Sequence, residues 1–232
     1  MQYYIKQSNV YKKAKWAFYK IINVTLATFK IKNREYYYSK WIIDHGDETL
    51  YTKYPLSSKS LVLDIGGYEG KFSDQIITLY NPKIVIYEPV KKFFLNLKRR
   101  YRTKNSVSVL NWGLSNKNTL TKVRLSGDGT SIYSKSGEME KVRFLDAAIA
   151  LKKYSAIDLI SINIEGSEYD VVERIIDSGV IKRIKNIQIQ FHRVVPNCEA
   201  RRLSIIKGLH KTHRTLFSYP FVWESFTRKQ QV

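Results

Sequence analysis

Apolar residues recur along this chain in two alternating rhythms. Short runs rich in Val, Ile and Leu read as strands: SLVLDIG (residues 60–66), KIVIYEP (83–89), SVSVLNWGL (106–114), IDLISINIEG (157–166) and IKNIQIQFH (184–192). Between and after them, segments with apolar residues at helical spacing read as helices: KFSDQIITLY (71–80), VKKFFLNLKRRY (90–101), FLDAAIALKKY (144–154), YDVVERIIDSGV (169–180, ending near Gly179) and EARRLSIIKGLHK (199–211). Strands joined by crossover helices predict an α/β fold, a parallel sheet with helices on both faces. A polar stretch, SGDGTSIYSKSGE (126–138), interrupts the alternation. The tail TLFSYPFVWESFTR (215–228) predicts one or two aromatic strands broken at Pro220.

Ahead of the first strand, residues 8–30 place Val10, Ala14, Ala17, Phe18, Ile21, Ile22 and Leu26 at spacings that form one helical face, with Lys12, Lys13, Lys15 and Lys20 outside it. The division expected is a basic helical extension over residues 1–44 and a domain over 45–232. At 232 residues and 44% apolar content, the chain can bury a full core. The lone Cys198 excludes an internal disulfide, and one Cys with four scattered His offers no four-ligand zinc pattern. A reducing, cytoplasmic setting is therefore expected. The N-terminus lacks the order of a secretory signal and no run of about 18 apolar residues is present, so the Asn23-Val24-Thr25 sequon reads as chance.

The net charge of +20 belongs mainly to the two ends. Residues 1–40 carry nine Lys/Arg against Glu35 alone, and residues 182–232 carry eleven against Glu199 and Glu224. Such a field attracts phosphorylated glycolipids, an anionic membrane surface or nucleic acid, or is simply a solvated basic surface.

In open parallel sheets, ligands sit outside the carboxyl ends of the strands, which makes the turn DIGGYEG informative. Asp64 closes the first strand, and Gly66, Gly67 and Gly70 let the backbone pass close to a ligand before opening a helix. The spacing D-x-G-G-x-x-G differs from the dinucleotide fingerprint. With Asp64 and Glu69 in the turn it suits a ligand carrying positive charge, as S-adenosylmethionine does. Glu88 ends the second strand, where a carboxylate can accept hydrogen bonds from both hydroxyls of a ribose.

The series LVLDIGGYEGKFS, IVIYEPVKKFFLNLK, NWGLS, DLISINIEGSEYDVVERI and IQIQFH resembles the FkbM-type methyltransferases, from about His45 to the C-terminal YPFVWESF. The resemblance implies a Rossmann-like class I methyltransferase fold with a seven-stranded, mostly parallel sheet. It also implies S-adenosylmethionine as cofactor and O-methylation of a sugar hydroxyl in a glycan, polysaccharide or lipid-linked carbohydrate. Carried over, it implies cofactor contacts from Asp64, Gly66, Gly67, Gly70 and Glu88, places Trp112 and Gly113 beside the adenine, and sets Asn163 and Glu165 facing the transferred methyl. The commoner family form has Lys and Asp where this chain has Ser161 and Asn163.

A sugar hydroxyl needs a base. Glu165 and His192, each ending a strand, are candidates, and His192 has the better intrinsic pKa. The alternatives are a packed strand-end histidine and a Glu165 that orients the acceptor, binds a metal or caps the next helix. Rival chemistries lack their residues: the position after the fourth strand reads NIEG rather than an Asn/Asp-Pro-Pro-aromatic motif, Cys198 lies beyond the fifth strand, and no G-x-S-x-G elbow occurs. A nucleic-acid methyltransferase and a non-catalytic binding module remain the alternatives. For residues 1–30 the readings are a lid over the cleft or a surface helix whose lysines meet anionic lipid at the inner membrane face while Trp16 and Phe18 enter the interface.

Overall fold

The structure, a computed structural model, describes residues 9–126, 129–131 and 138–230. Most of the polar stretch 126–138 lies outside the described residues, as do residues 1–8. The chain divides into two compact units: residues up to Lys53 with Tyr219–Val222, and Tyr54–Ser218 with the residues from Trp223 onward.

The first unit holds α1 (Asn9–Thr28), α2 (Arg34–Ile43) and the single turn α3 (Gly46–Thr49), so helix continues past residue 44. Asn33 caps α2 by accepting from the backbone N–H of Tyr36 at 3.0 Å. The face of α1 that packs on α2 shares only Ile22 and Leu26 with the one read from the spacing. Trp16 donates its indole N–H to Ile43 O at 3.3 Å, Tyr19 meets Tyr38 edge-on at 5.3 Å, and Asn23 donates to Tyr36 O and Ser39 Oγ. Ile22 and Leu26 complete this face, whereas Ala14, Ala17, Phe18 and Ile21 are exposed. The aromatic rings supply more area to bury than the alanines, and the Asn23 amide finds both its acceptors on α2. The Val10 side chain is outside the described residues.

The second unit is built on a seven-stranded sheet. Its strands are β1 (Leu61–Ile65), β2 (Lys83–Tyr87), β3 (Val107–Leu110), β8 (Ile157–Ile162), β9 (Ile184–Ile189), β10 (His213–Tyr219) and β11 (Trp223–Arg228), in the order β10-β11-β9-β8-β1-β2-β3. Pairings among β3, β2, β1, β8 and β9 are parallel, and β11 runs antiparallel to β9. This is the Rossmann-like methyltransferase fold, with α4 (Lys71–Tyr80), α5 (Lys91–Arg100), α7 (Glu168–Asp177) and α8 (Cys198–Leu209) in the connections. β1 and β8 lie in mid-sheet, which is why LVLDI and IDLISI are nearly continuously apolar and almost wholly buried. Among the described residues no helix is long and apolar enough to cross a membrane.

A second sheet, ordered β4-β7-β5-β6, interrupts the alternation: β4 (Gly113–Ser115), β5 (Thr119–Ser126), β6 (Gly129–Ser131) and β7 (Glu138–Asp146). It corrects two readings. SVSVLNWGL is not one strand, since Val107–Leu110 pairs with β2 and Gly113–Ser115 pairs with β7. FLDAAIALKKY is not one helix, since Phe144, Leu145 and Asp146 extend β7. The Asp146 carboxylate then accepts from Ala148 N at 2.8 Å and starts the short α6 (Ala147–Lys152). One face of the β5/β7 ladder buries Val123 and Val142 against Val90 and Phe93.

Candidate active site

The backbone ladder continues past the strand ends and aligns three positions along the carboxyl edge. Gly66 N donates to Tyr87 O at 2.9 Å, Glu88 N to Leu110 O at 3.0 Å and Asn163 N to Ile65 O at 3.1 Å. The turns after β1, β2 and β8 are thereby held side by side, and between them lies a cavity. Gly66, Tyr68, Glu88, Phe93, Asn163 and Glu165 line it from the main sheet and its connections, and Gly113, Leu114, Val123 and Phe144 line it from the second sheet. It is an apolar cleft with a few converging polar groups, the usual form of a small-molecule site.

Glu88 is the buried charge of this cavity, 4% exposed. Its two carboxylate oxygens accept from Tyr68 N at 2.8 Å and Val90 N at 2.9 Å, which ties the glycine turn to the start of α5. Burial pushes its pKa up to about 7 against the lowering effect of those two bonds, with Glu140 adding to the rise. Tyr68, at φ 45°, packs edge-on against Phe93 at 4.5 Å, an aromatic pair beside the carboxylate.

The glycine turn works differently from its sequence reading. Gly66 adopts φ 90° and lines the cavity, and a Cβ there would overlap Asn163 O. Gly67 faces the other way: a Cβ would overlap Ile86 Cγ2. A Cβ on Gly70 would press on Tyr101 and Leu97. Only Gly66 of the three borders the cavity; Gly67 permits close packing on β2 and α5, and Gly70 on α5 and Tyr101. Asp64 also turns away from the cavity, accepting from Ser73 Oγ at 2.7 Å, and burial pushes its pKa up to about 7. Trp112 is half-buried and outside the cavity lining, whereas Gly113 is in it.

After β8 the chain makes a tight loop in which Glu165 has φ 50° and Gly166 φ 105°. Sequence reasoning named Glu165 and His192 here but gave no role to the residue that unites them. Glu168, fully buried at the start of α7, accepts from Gly166 N at 2.7 Å and from His192 N at 2.7 Å, and its Oε1 lies 3.2 Å from His192 Nδ1. His192 Nε2 lies 3.5 Å from Glu165 Oε1. The imidazole thus stands between two carboxylates, one buried and one at the cavity. The available signal was the E-x-x-E spacing in IEGSE, whose second acid falls at a helix start. His192 itself is beside the cavity rather than in its lining.

Ser161 is not in the cavity. Gln188 Nε2 donates to Ser161 Oγ at 2.9 Å, and Tyr54 Oη bridges Gln188 Oε1 and Ser225 Oγ at 2.8 Å each. All four residues are buried, so this position is absorbed in a satisfied polar network crossing β8, β9 and β11.

No family model matches the sequence, and no curated protein matches it. Solved methyltransferases are among the structures it is similar to. A Streptococcus thermophilus rRNA methylase is 12% identical, aligned over 75% of this chain and 90% of that one at a TM-score of 0.45. Fibrillarin in its complex with Nop5p is 13% identical over 84% and 82%, TM-score 0.49. The N-methyltransferase NodS of Bradyrhizobium japonicum, solved with S-adenosylhomocysteine, is 12% identical over 74% and 79%, TM-score 0.42.

Proposed function

We propose that the chain is an S-adenosylmethionine-dependent methyltransferase of the FkbM type that O-methylates a carbohydrate hydroxyl. The observation that carries the cofactor is Glu88, a buried carboxylate at the tip of β2, in the lining of a cavity that the neighbouring Gly66 turn also borders. Its oxygens each keep a lone pair beyond the backbone bond they accept, so they can take the two ribose hydroxyls. Tyr68, Phe93 and the apolar side chains of the second sheet offer a flat-walled space for the adenine. When bound, the cofactor supplies an electrophilic methyl on a sulfonium sulfur. Asn163 and Glu165, at the tip of β8, stand where the acceptor must be aligned with that methyl.

His192 is the proposed base. Glu168 Oε1 beside Nδ1 favours the tautomer in which Nδ1 carries the proton, leaving Nε2 to accept one from the acceptor hydroxyl. Glu165 near Nε2 then stabilises the imidazolium. In the transfer His192 Nε2 would take the hydroxyl proton, while Asn163 and Glu165 would hold the acceptor oxygen in line with the cofactor's methyl.

A nucleic-acid acceptor is the second reading, and one feature favours it. In the β5/β7 ladder Lys122 stands opposite Lys141 and Leu120 opposite Arg143, and Arg124 shares the face with Lys122. These four cations stand on the reverse of the face that buries Val123 and Val142, and cations directly opposite on a ladder repel unless an anion joins them. The discriminating experiment is methyl-labelled S-adenosylmethionine offered with a panel of oligosaccharides and, separately, RNA and DNA. Label in an alkali-stable sugar ether supports the carbohydrate reading, and label in nucleic acid replaces it with the second.

A further inference from the structure

We propose that α1 docks on an anionic lipid surface, through the face opposite the one that packs on α2. At 100° per residue, Ala17, Phe18, Ile21 and Val24, with Thr25 and Thr28, fall within an arc of about 120° that carries no charged residue. Phe18 is 59% exposed, Ile21 68% and Val24 58%. The two threonines do not make the stripe polar: Thr25 Oγ1 donates to Ile21 O and Thr28 Oγ1 to Val24 O, each at 2.9 Å, which satisfies the hydroxyls on the helix itself. Beyond the helix end Phe29 and Ile31 are exposed at 70% and 44%, alternating with Lys30 and Lys32.

Charge names the occupant. Lys13 and Lys20 border one edge of the arc and Lys15 lies past the other, within a segment whose nine Lys/Arg face one Glu. An apolar stripe flanked by lysines, on a helix that is too polar to span a bilayer, matches a helix lying in the headgroup region. A second copy of the chain is a poorer partner, since pairing two such stripes brings lysine edge against lysine edge. Trp16, expected at the lipid interface, is instead held to Ile43 O inside the helical unit, so Phe18 and Ile21 are the inserting residues.

The test is cosedimentation of the full chain with vesicles of phosphatidylcholine containing one-third phosphatidylglycerol, and with phosphatidylcholine alone. Binding to the anionic vesicles at low salt is expected, weakened about tenfold or more on pure phosphatidylcholine or in high salt. Phe18→Asp/Ile21→Asp should abolish it, and Lys13→Glu/Lys20→Glu should lower it about tenfold or more with the thermal midpoint unchanged. No cosedimentation, or cosedimentation that both variants leave intact, overturns the proposal. So does a dimer in light scattering that Phe18→Asp/Ile21→Asp converts to monomer while vesicles stay unbound.

Discussion

Replacing Glu88 by Gln probes the proposed cofactor site without changing its shape. In the folded protein the carboxylate is almost fully buried, and its pKa stands near 7 because burial disfavours the charge more than the Tyr68 and Val90 amides favour it. Ribose hydroxyls donate to the ionised form. The carboxylate is therefore mostly neutral at pH 6 and mostly ionised at pH 8, so affinity for S-adenosylhomocysteine should rise several-fold, up to about tenfold, across that interval. An amide keeps one acceptor oxygen and turns a donor toward a backbone N–H. It should therefore lose about one hydrogen bond to a charged group, about 1.5 to 3 kcal/mol or roughly ten- to hundredfold in Kd at pH 8, and should bind with no pH dependence. Titration calorimetry at pH 6, 7 and 8 on both proteins measures this. Equal affinity in wild type and Glu88→Gln at pH 8, or a flat wild-type profile, would refute the reasoning.

Three further outcomes follow from particular contacts. Glu168→Gln should lower turnover by about 10² or more and alter its pH profile while S-adenosylhomocysteine binding persists, since Glu168 positions His192 and touches no cavity group; turnover and profile both unchanged would return His192 to a packing role. Gly66→Ala should cost about 1–3 kcal/mol of stability or more, from a positive φ and overlap with Asn163 O, read by chemical denaturation. Asp64, with a pKa raised on folding, binds its proton more tightly in the native state, so its contribution to stability is complete below about pH 4 and lost as pH rises through about 7; Asp64→Asn should make melting temperatures less sensitive to pH over that window.

The main sheet was legible because its signals are local. A mid-sheet parallel strand is apolar on both faces, so LVLDI and IDLISI carry their own assignment, and Gly179 at φ 74° ends its helix where the pattern broke. That Glu88 and Asn163 share one cavity at the strand tips was legible because strand ends converge by topology. The second sheet was not: β5 and β7 are half-exposed, and their cationic face reads as polar loop unless the partner strand is known. Glu168 was hidden for a related reason, since its partners Gly166 and His192 meet it only through the parallel pairing of β8 and β9. On α1, spacing found an apolar arc but not the face that meets α2, because Trp16, Tyr19 and Asn23 are held by α2 through contacts that periodicity does not encode.

The central claim is that the cavity at the carboxyl edge of β1, β2 and β8 holds S-adenosylmethionine, and a crystal structure grown with S-adenosylhomocysteine tests it most directly. The account predicts both ribose hydroxyls within hydrogen-bond distance of the Glu88 carboxylate, the adenine between Phe93 and the second sheet, and the sulfur directed toward Asn163 and Glu165. A ligand bound elsewhere, or a cavity left empty at saturating ligand with Glu88 still held only by Tyr68 and Val90, would contradict it.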